Sequence, residues 1–94
     1  MSQATWQPHD EPAGQLDAAA REALPASAFA FPAQRKEPLA SASHVRDAAA
    51  RFDQVEGVSE ADRELAWANI RAAALHYGIT LTETDWRQLG RRTP

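Results

Sequence analysis

The stretch FAFPAQRKEPLASASHVRDAAARF, residues 29–52, decides how the chain is organised. Phe29 and Phe31 are separated by one residue, Ala30, which puts both rings on the same side of an extended segment. Pro32 and Pro38 then prevent a longer strand or a helix. Because no strand partner is evident elsewhere in the chain, this half is expected to be an ordered loop held by its phenylalanines.

The second half of the stretch predicts a helix. Ser41 or Ser43 can cap its start, and Gly57 can end it. Its apolar residues recur at the spacing of one helical face and are Val45, Ala48, Ala49, Phe52 and Val55.

A longer helix follows. Ser59 with Asp62 three residues later resembles a capping box, and Gly78 is a suitable C-terminal stop. The apolar stripe between them is wide, which predicts contact with more than one neighbour and hence a central helix.

Two shorter helices are predicted on either side. Residues 15–24 are rich in helix formers and end before Pro25, and Thr82 can cap a short helix that ends at Leu89. Residues 1–14 are expected to be a flexible acidic arm, residues 15–90 one helical domain, and residues 91–94 a basic tail. Trp6 in this arm could fold back onto the body or could stay exposed.

The sequence therefore predicts an all-α fold, a small bundle of three main helices with a short C-terminal helix and an ordered Phe/Pro loop. The expected core consists of Phe29, Phe31, Phe52, Trp67, Ile70, Leu75, Tyr77, Leu81, Trp86 and Leu89.

Composition excludes several classes of protein. The net charge of −3 comes entirely from residues 1–24, so the rest of the chain is neutral. A neutral body does not indicate bulk affinity for nucleic acid or membrane. The chain has no cysteine, so neither a disulfide nor a thiolate metal site can stabilise it. It has no apolar run near the roughly 20 residues that span a bilayer and no secretory signal, so a cytoplasmic protein without membrane contact is expected. His9, His44 and His76 lack metal-ligand spacing, and glycine-rich phosphate loops and nucleophile turns are missing. We expect no enzyme, no metal and no cofactor.

Basic residues suggest two alternative binding functions. Arg35 and Lys36, together with His44 and Arg46, could form one face that recognises an acidic protein segment, or could form ordinary surface ion pairs. Alternatively, the central helix and the C-terminal helix could form a helix–turn–helix-like pair in which Arg87, Arg91 and Arg92 contact nucleic acid. Glu83 and Asp85 at the start of that second helix count against DNA contact there.

A family resemblance rests on the same stretch. The residues that carry it are Leu24, Pro25, Ser27, Phe29, Ala30, Pro32, Arg35, Lys36 and Pro38, followed by His44, Arg46 and Ala48. This pattern resembles DUF6582, a family of small bacterial and phage-associated domains of unknown function. The resemblance covers residues 24–56 most closely and implies an accessory or docking module. The overall expectation is a non-enzymatic binding module with a protein partner, as a monomer or a helical homodimer.

Overall fold

The computed structural model describes residues 3–8 and 22–89 of the 94-residue chain. Two β-strands, β1 (Phe29–Phe31) and β2 (Lys36–Pro38), precede two α-helices, α1 (Ala42–Arg51) and α2 (Glu60–Tyr77). Single 3₁₀ turns cover Ala26–Ala28, Phe52–Gln54 and Trp86–Gln88. β1 and α1 both pack against α2, which is the central helix, as its wide apolar stripe predicts.

The expectation of an all-α bundle of three main helices is wrong. Within the described residues there are two helices, and the Phe/Pro loop is an antiparallel two-stranded sheet. Phe29 pairs with Pro38 and Phe31 with Lys36, so the partner of the first strand lies only a few residues further along the chain. Both strands are edges, which is where a sheet tolerates proline. The predicted helix over residues 15–24 lies mostly outside the described residues.

A tight turn makes this hairpin possible. The backbone N–H of Arg35 donates to the carbonyl of Pro32 at 3.3 Å. Arg35 and Glu37 both have left-handed backbone geometry, with φ of 53° and 57°. Non-glycine residues adopt this geometry only at some cost in conformational energy. Nothing in the residue types at these two positions predicts it.

α1 begins at the predicted cap and ends earlier than predicted. Ser41 is the N-cap, and its Oγ accepts a hydrogen bond from the backbone N–H of His44 at 3.2 Å. The α-helix stops at Arg51 and tightens into the 3₁₀ turn. Arg63 of α2 then donates to the carbonyls of Phe52 and Val55, at 2.9 and 2.8 Å, and so ties the end of α1 to α2.

α2 has both predicted ends. Ser59 and Asp62 form a reciprocal capping box. The backbone N–H of Ser59, donating to Asp62 Oδ2, is the main reason why the pKa of this carboxyl lies below its usual value of 3.8. At the other end, Gly78 is left-handed with φ of 71° and closes the helix.

The core contains most of the predicted residues and several that the predicted list lacks, among them Trp6 and Leu39. Phe31 contacts Phe52 with ring centroids 5.6 Å apart, and Trp6 is buried in the same cluster. Phe29 does not share this cluster, although both rings were expected on one side: it packs separately with Leu24 and Ala28. Leu75 was assigned to the core wrongly, since it is 85% exposed.

The predicted C-terminal helix is a single turn. After α2 the chain is irregular until Trp86–Gln88, where Asp85 caps the turn by accepting from the backbone N–H of Arg87. Trp86 Nε1 donates to Glu64 of α2, which fixes the turn against the central helix. The second helix that a helix–turn–helix arrangement requires is therefore not formed over the described residues.

Candidate functional site

Arg35 anchors the hairpin to the segment before it. Its guanidinium donates to the carbonyls of Glu22 and Leu24, at 3.1 and 2.8 Å, and lies 4.8 Å from the centroid of the Phe29 ring. Arginine donors suit such bridging because several N–H groups lie in one plane. This predicted binding residue has a clear role in holding the strand β1 against the chain that precedes it.

Lys36 points to a different part of the chain. Its Nζ donates to the carbonyl of Glu56, in the connection between α1 and α2, at 2.8 Å. The ammonium and the Arg35 guanidinium therefore contact separate segments, although the two residues are adjacent in sequence. A carbonyl contact satisfies a donor but leaves the positive charge of Lys36 without a counter-charge in that bond.

His44 and Arg46 both lie on α1. His44 is half-buried, and its Nδ1 is 3.1 Å from Ser41 Oγ at the start of the helix. Arg46 is exposed, and its side chain makes no hydrogen bond or ion pair with the residues that the structure describes. The four predicted partner-binding residues thus differ in role: three contact their own chain, and Arg46 projects from the fold.

Arg87, predicted as a nucleic-acid contact, is paired within the protein. Its Nη2 is 2.6 Å from Glu60 Oε1, and its Nη1 is 3.3 Å from Asp85 Oδ2. The hydrogen bond to Glu60 is the main cause that raises the pKa of Arg87 above its usual value. Arg91 and Arg92 lie outside the described residues.

Trp6, for which the sequence left open whether it folds back onto the body, is docked in the structure and is surrounded by defined contacts. The indole is only 6% exposed, and its Nε1 donates to the carbonyl of Leu39 at 3.1 Å. Its ring meets those of His76 and Tyr77 edge to face, with centroids 5.6 and 5.9 Å away. We call the site formed by Leu39, Asn69, His76 and Tyr77 the Trp6 pocket.

Asn69 fixes the backbone around Trp6. Its side chain is fully buried, and its Oδ1 accepts from the backbone N–H groups of Thr5 and Trp6 at 2.7 and 2.9 Å. Its Nδ2 donates to the carbonyl of Ala30 in β1 at 2.9 Å. This amide joins three segments that are far apart in sequence. The available signal was an asparagine, the only one in the chain, next to Ile70 in the apolar stripe of α2.

An open groove lies on the other side of α2. It has a volume of about 540 Å³ and includes the exposed Leu75 together with Ile79 and Leu81 from the chain that follows the helix. Arg71 and Glu83 also border it. An exposed leucine in a groove is available for contact but carries no chemistry that names a ligand.

The described residues form neither a metal-ligand cluster nor a membrane-spanning helix. Within residues 3–8 and 22–89, no three His, Cys, Asp or Glu side chains come together as possible ligands of a metal ion. Neither described helix has the length and apolar character that a bilayer crossing needs.

Among the comparisons with known proteins, the one with family models gives a match. The chain has no match among curated proteins or among solved structures. The sequence model of DUF6582, described as a family of unknown function, matches residues 15–84. The match includes the hairpin, both helices and the groove. The chain therefore belongs to DUF6582.

Proposed function

We propose that the protein is a non-enzymatic binding module that contacts an acidic segment of a protein partner through the exposed cations of the hairpin and α1. The observation that carries this proposal is Arg46, which is exposed and has no polar partner in the described part of the chain. An arginine that is not already paired keeps its planar set of donors for a carboxylate, which it can bind through two hydrogen bonds.

Lys36 supports the same surface. It is exposed, and its Nζ donates to the neutral carbonyl of Glu56, so an incoming carboxylate would meet a charge that this bond has not neutralised. Lys36 reaches the connection that follows α1, whereas Arg46 lies in the helix itself. A partner segment that uses both cations would therefore run along α1, with its acidic side chains separated in sequence.

Arg35 and His44 have a supporting role in this proposal. Arg35 holds β1 to the preceding chain, and His44 contributes to the capped start of α1. Both contacts position the backbone from which Lys36 and Arg46 project. Their substitution should disturb the site through the fold more than through lost contacts with the partner.

Nucleic-acid binding is the competing function and has less support. Arg87 is paired with Glu60 and Asp85, so its charge is balanced before any phosphate approaches. The single 3₁₀ turn around it is too short to act as a recognition helix in a groove of DNA. We treat binding to DNA as an outcome of the following test.

The test is a titration of the ¹⁵N-labelled full chain with a peptide of aspartate and glutamate residues and, separately, with a short DNA duplex. The peptide should shift the amide signals of Lys36 and Arg46, and Arg46→Glu should weaken its binding by about tenfold, or about 1.4 kcal/mol. Arg71→Glu is the matched control, because it makes the same charge change on an exposed arginine of α2.

The outcomes separate the two functions. Equal loss of peptide binding in Arg46→Glu and Arg71→Glu would mean that only the overall charge matters, which contradicts a defined site on α1. Binding of the duplex without the peptide, falling steeply between about 50 mM and about 200 mM salt, would favour the nucleic-acid function.

A further inference from the structure

The segment from residue 3 to residue 8 docks on the protein through the buried Trp6 side chain and through hydrogen bonds of its backbone. The Thr5 side chain adds a contact, since its Oγ1 accepts from Asn69 Nδ2 at 3.2 Å. Trp6 is 6% exposed, while the other five residues of the segment are exposed. A structural strand or helix of a small domain normally buries a whole face rather than a single residue. One buried aromatic group between exposed neighbours is instead the arrangement by which a protein surface holds a short peptide.

The backbone contacts around Trp6 are also those of a peptide bound on a protein surface. Three consecutive N–H groups, those of Thr5, Trp6 and Gln7, donate to the rest of the protein. The acceptors are Asn69 Oδ1 for the first two and the carbonyl of Ser27 for the third, at 3.0 Å. Main-chain bonds that supply affinity, with one pocket that supplies specificity, characterise recognition of an extended peptide.

The family match covers the residues of the Trp6 pocket but does not cover residues 3–8, which occupy it. Residues 15–84 match the family and include every residue of the Trp6 pocket and Ser27. The occupying segment lies before residue 15. The matched residues therefore provide the pocket, and the segment that fills it lies outside the match.

Chain length does not force the segment into its own pocket. Residues 9–21 separate it from the first described residue of the body, and 13 residues can span at most roughly 45 Å. The longest dimension of the molecule is 37 Å. At this upper limit the connection would reach a second copy of the protein.

We propose that the Trp6 pocket is a reversible binding site for an extended, tryptophan-bearing peptide, occupied by residues 3–8 of the same chain and open to the same segment of a second copy. Tethering by a short connection gives the chain's own segment an effective concentration in the millimolar range. Occupation within one chain dominates in dilute solution, and exchange between two copies grows as the protein concentration approaches that range.

A labelled peptide tests the pocket directly. A fluorescent peptide with the sequence of residues 2–9 is titrated into the full-length Trp6→Ala variant and into the wild-type chain, with anisotropy as the signal. The variant should bind saturably, and the wild-type chain at least about tenfold more weakly, because its own segment competes. A peptide with alanine in place of tryptophan should not bind.

Two further variants locate the binding. Adding Asn69→Ala to Trp6→Ala should weaken peptide binding by about tenfold or more, since the acceptor of two backbone N–H groups is lost. Adding Leu75→Ala, which lies in the exposed groove, should leave it unchanged. Equal affinity of wild type and folded Trp6→Ala, or no saturable binding to that folded variant, would overturn the proposal.

Folding of the variant need not limit the test. If Trp6→Ala does not fold, Trp6→Phe keeps a ring in the pocket but loses the indole N–H bond to Leu39. It should bind the labelled peptide more tightly than wild type does, and failure to do so would overturn the proposal. Exchange between copies is read from a mixture of differently labelled wild-type chains at millimolar concentration. Intermolecular NOEs between Trp6 and His76 are expected, and their absence would refute exchange.

Discussion

Replacing Asn69 by alanine removes the group that joins the N-terminal segment, β1 and α2. The side chain is fully buried and accepts from two backbone N–H groups while donating to the carbonyl of Ala30. After truncation, the N–H of Trp6 and the carbonyl of Ala30 lose their partner in a buried setting. We therefore expect the effect to come from two unsatisfied polar groups more than from lost packing.

The magnitude follows from those two groups. Each buried donor or acceptor left without a partner costs about 1–3 kcal/mol, so Asn69→Ala should lower the free energy of unfolding by about 2–6 kcal/mol. This is a large share of the roughly 5–15 kcal/mol that stabilises a typical domain. The assay is urea denaturation followed by circular dichroism of the helices, analysed with wild type and variant under the same conditions.

A control and a double variant make the result specific. Leu75→Ala truncates an exposed residue of the same helix and should change the stability by less than about 0.5 kcal/mol. Trp6→Ala and Asn69→Ala should together cost less than the sum of the single changes, because both remove the same docking of the segment. An Asn69→Ala variant as stable as wild type would refute the assigned role of this amide.

Three other predictions concern the buried Phe29 and the two ends of α2, at Gly78 and Asp62. Phe29→Ala should cost about 3–5 kcal/mol in urea denaturation, because the ring is 1% exposed and the site cannot collapse fully; a loss below about 1 kcal/mol would contradict that burial. Gly78→Ala should lower the stability by roughly 1 kcal/mol in the same assay, since an added Cβ meets nothing within 4 Å but the left-handed backbone disfavours it. The pKa of Asp62 is depressed in the folded state, so its contribution is complete above the usual value of 3.8 and is lost as the pH falls through the lower folded value. Thermal unfolding between about pH 5 and about pH 2 should show this loss in wild type and less of it in Asp62→Asn.

Local signals in the sequence were sufficient to predict the two helices. The cap at Ser41, the capping box at Ser59 and the glycine at position 78 each use chemistry that is specific to a helix end. The end of α1 was less predictable. The chain leaves the α-helix at Arg51, and the tightening there depends on Arg63, which binds the freed carbonyls from another helix.

The hairpin could not be predicted because its two strands have only three residues each. Such short strands show no usable periodicity, and Pro32 and Pro38 argue against any strand. The turn also depends on left-handed geometry at Arg35 and Glu37, where glycine or asparagine would have indicated it. The prediction of a loop in place of this sheet follows from these positions.

The sequence could not decide between a docked and an exposed Trp6, for a different reason. Residues 3–8 have no helical or strand pattern, and their contacts join positions that are more than 60 residues apart, such as Trp6 with Asn69. Sequence spacing carries no information on such contacts. The sequence also could not predict how the candidate cations are arranged: Arg35 and Lys36 contact different segments, and Arg87 is paired within the protein.

The central claim is that Trp6 occupies a pocket of the body and is held there by Asn69. The most direct measurement is a set of NOEs from the Trp6 indole in the labelled full chain. We expect NOEs from this indole to Leu39, His76 and Tyr77, and we expect the side-chain amide protons of Asn69 to exchange slowly with solvent. A Trp6 indole without contacts to the body, beside random-coil shifts at residues 3–8, would contradict it.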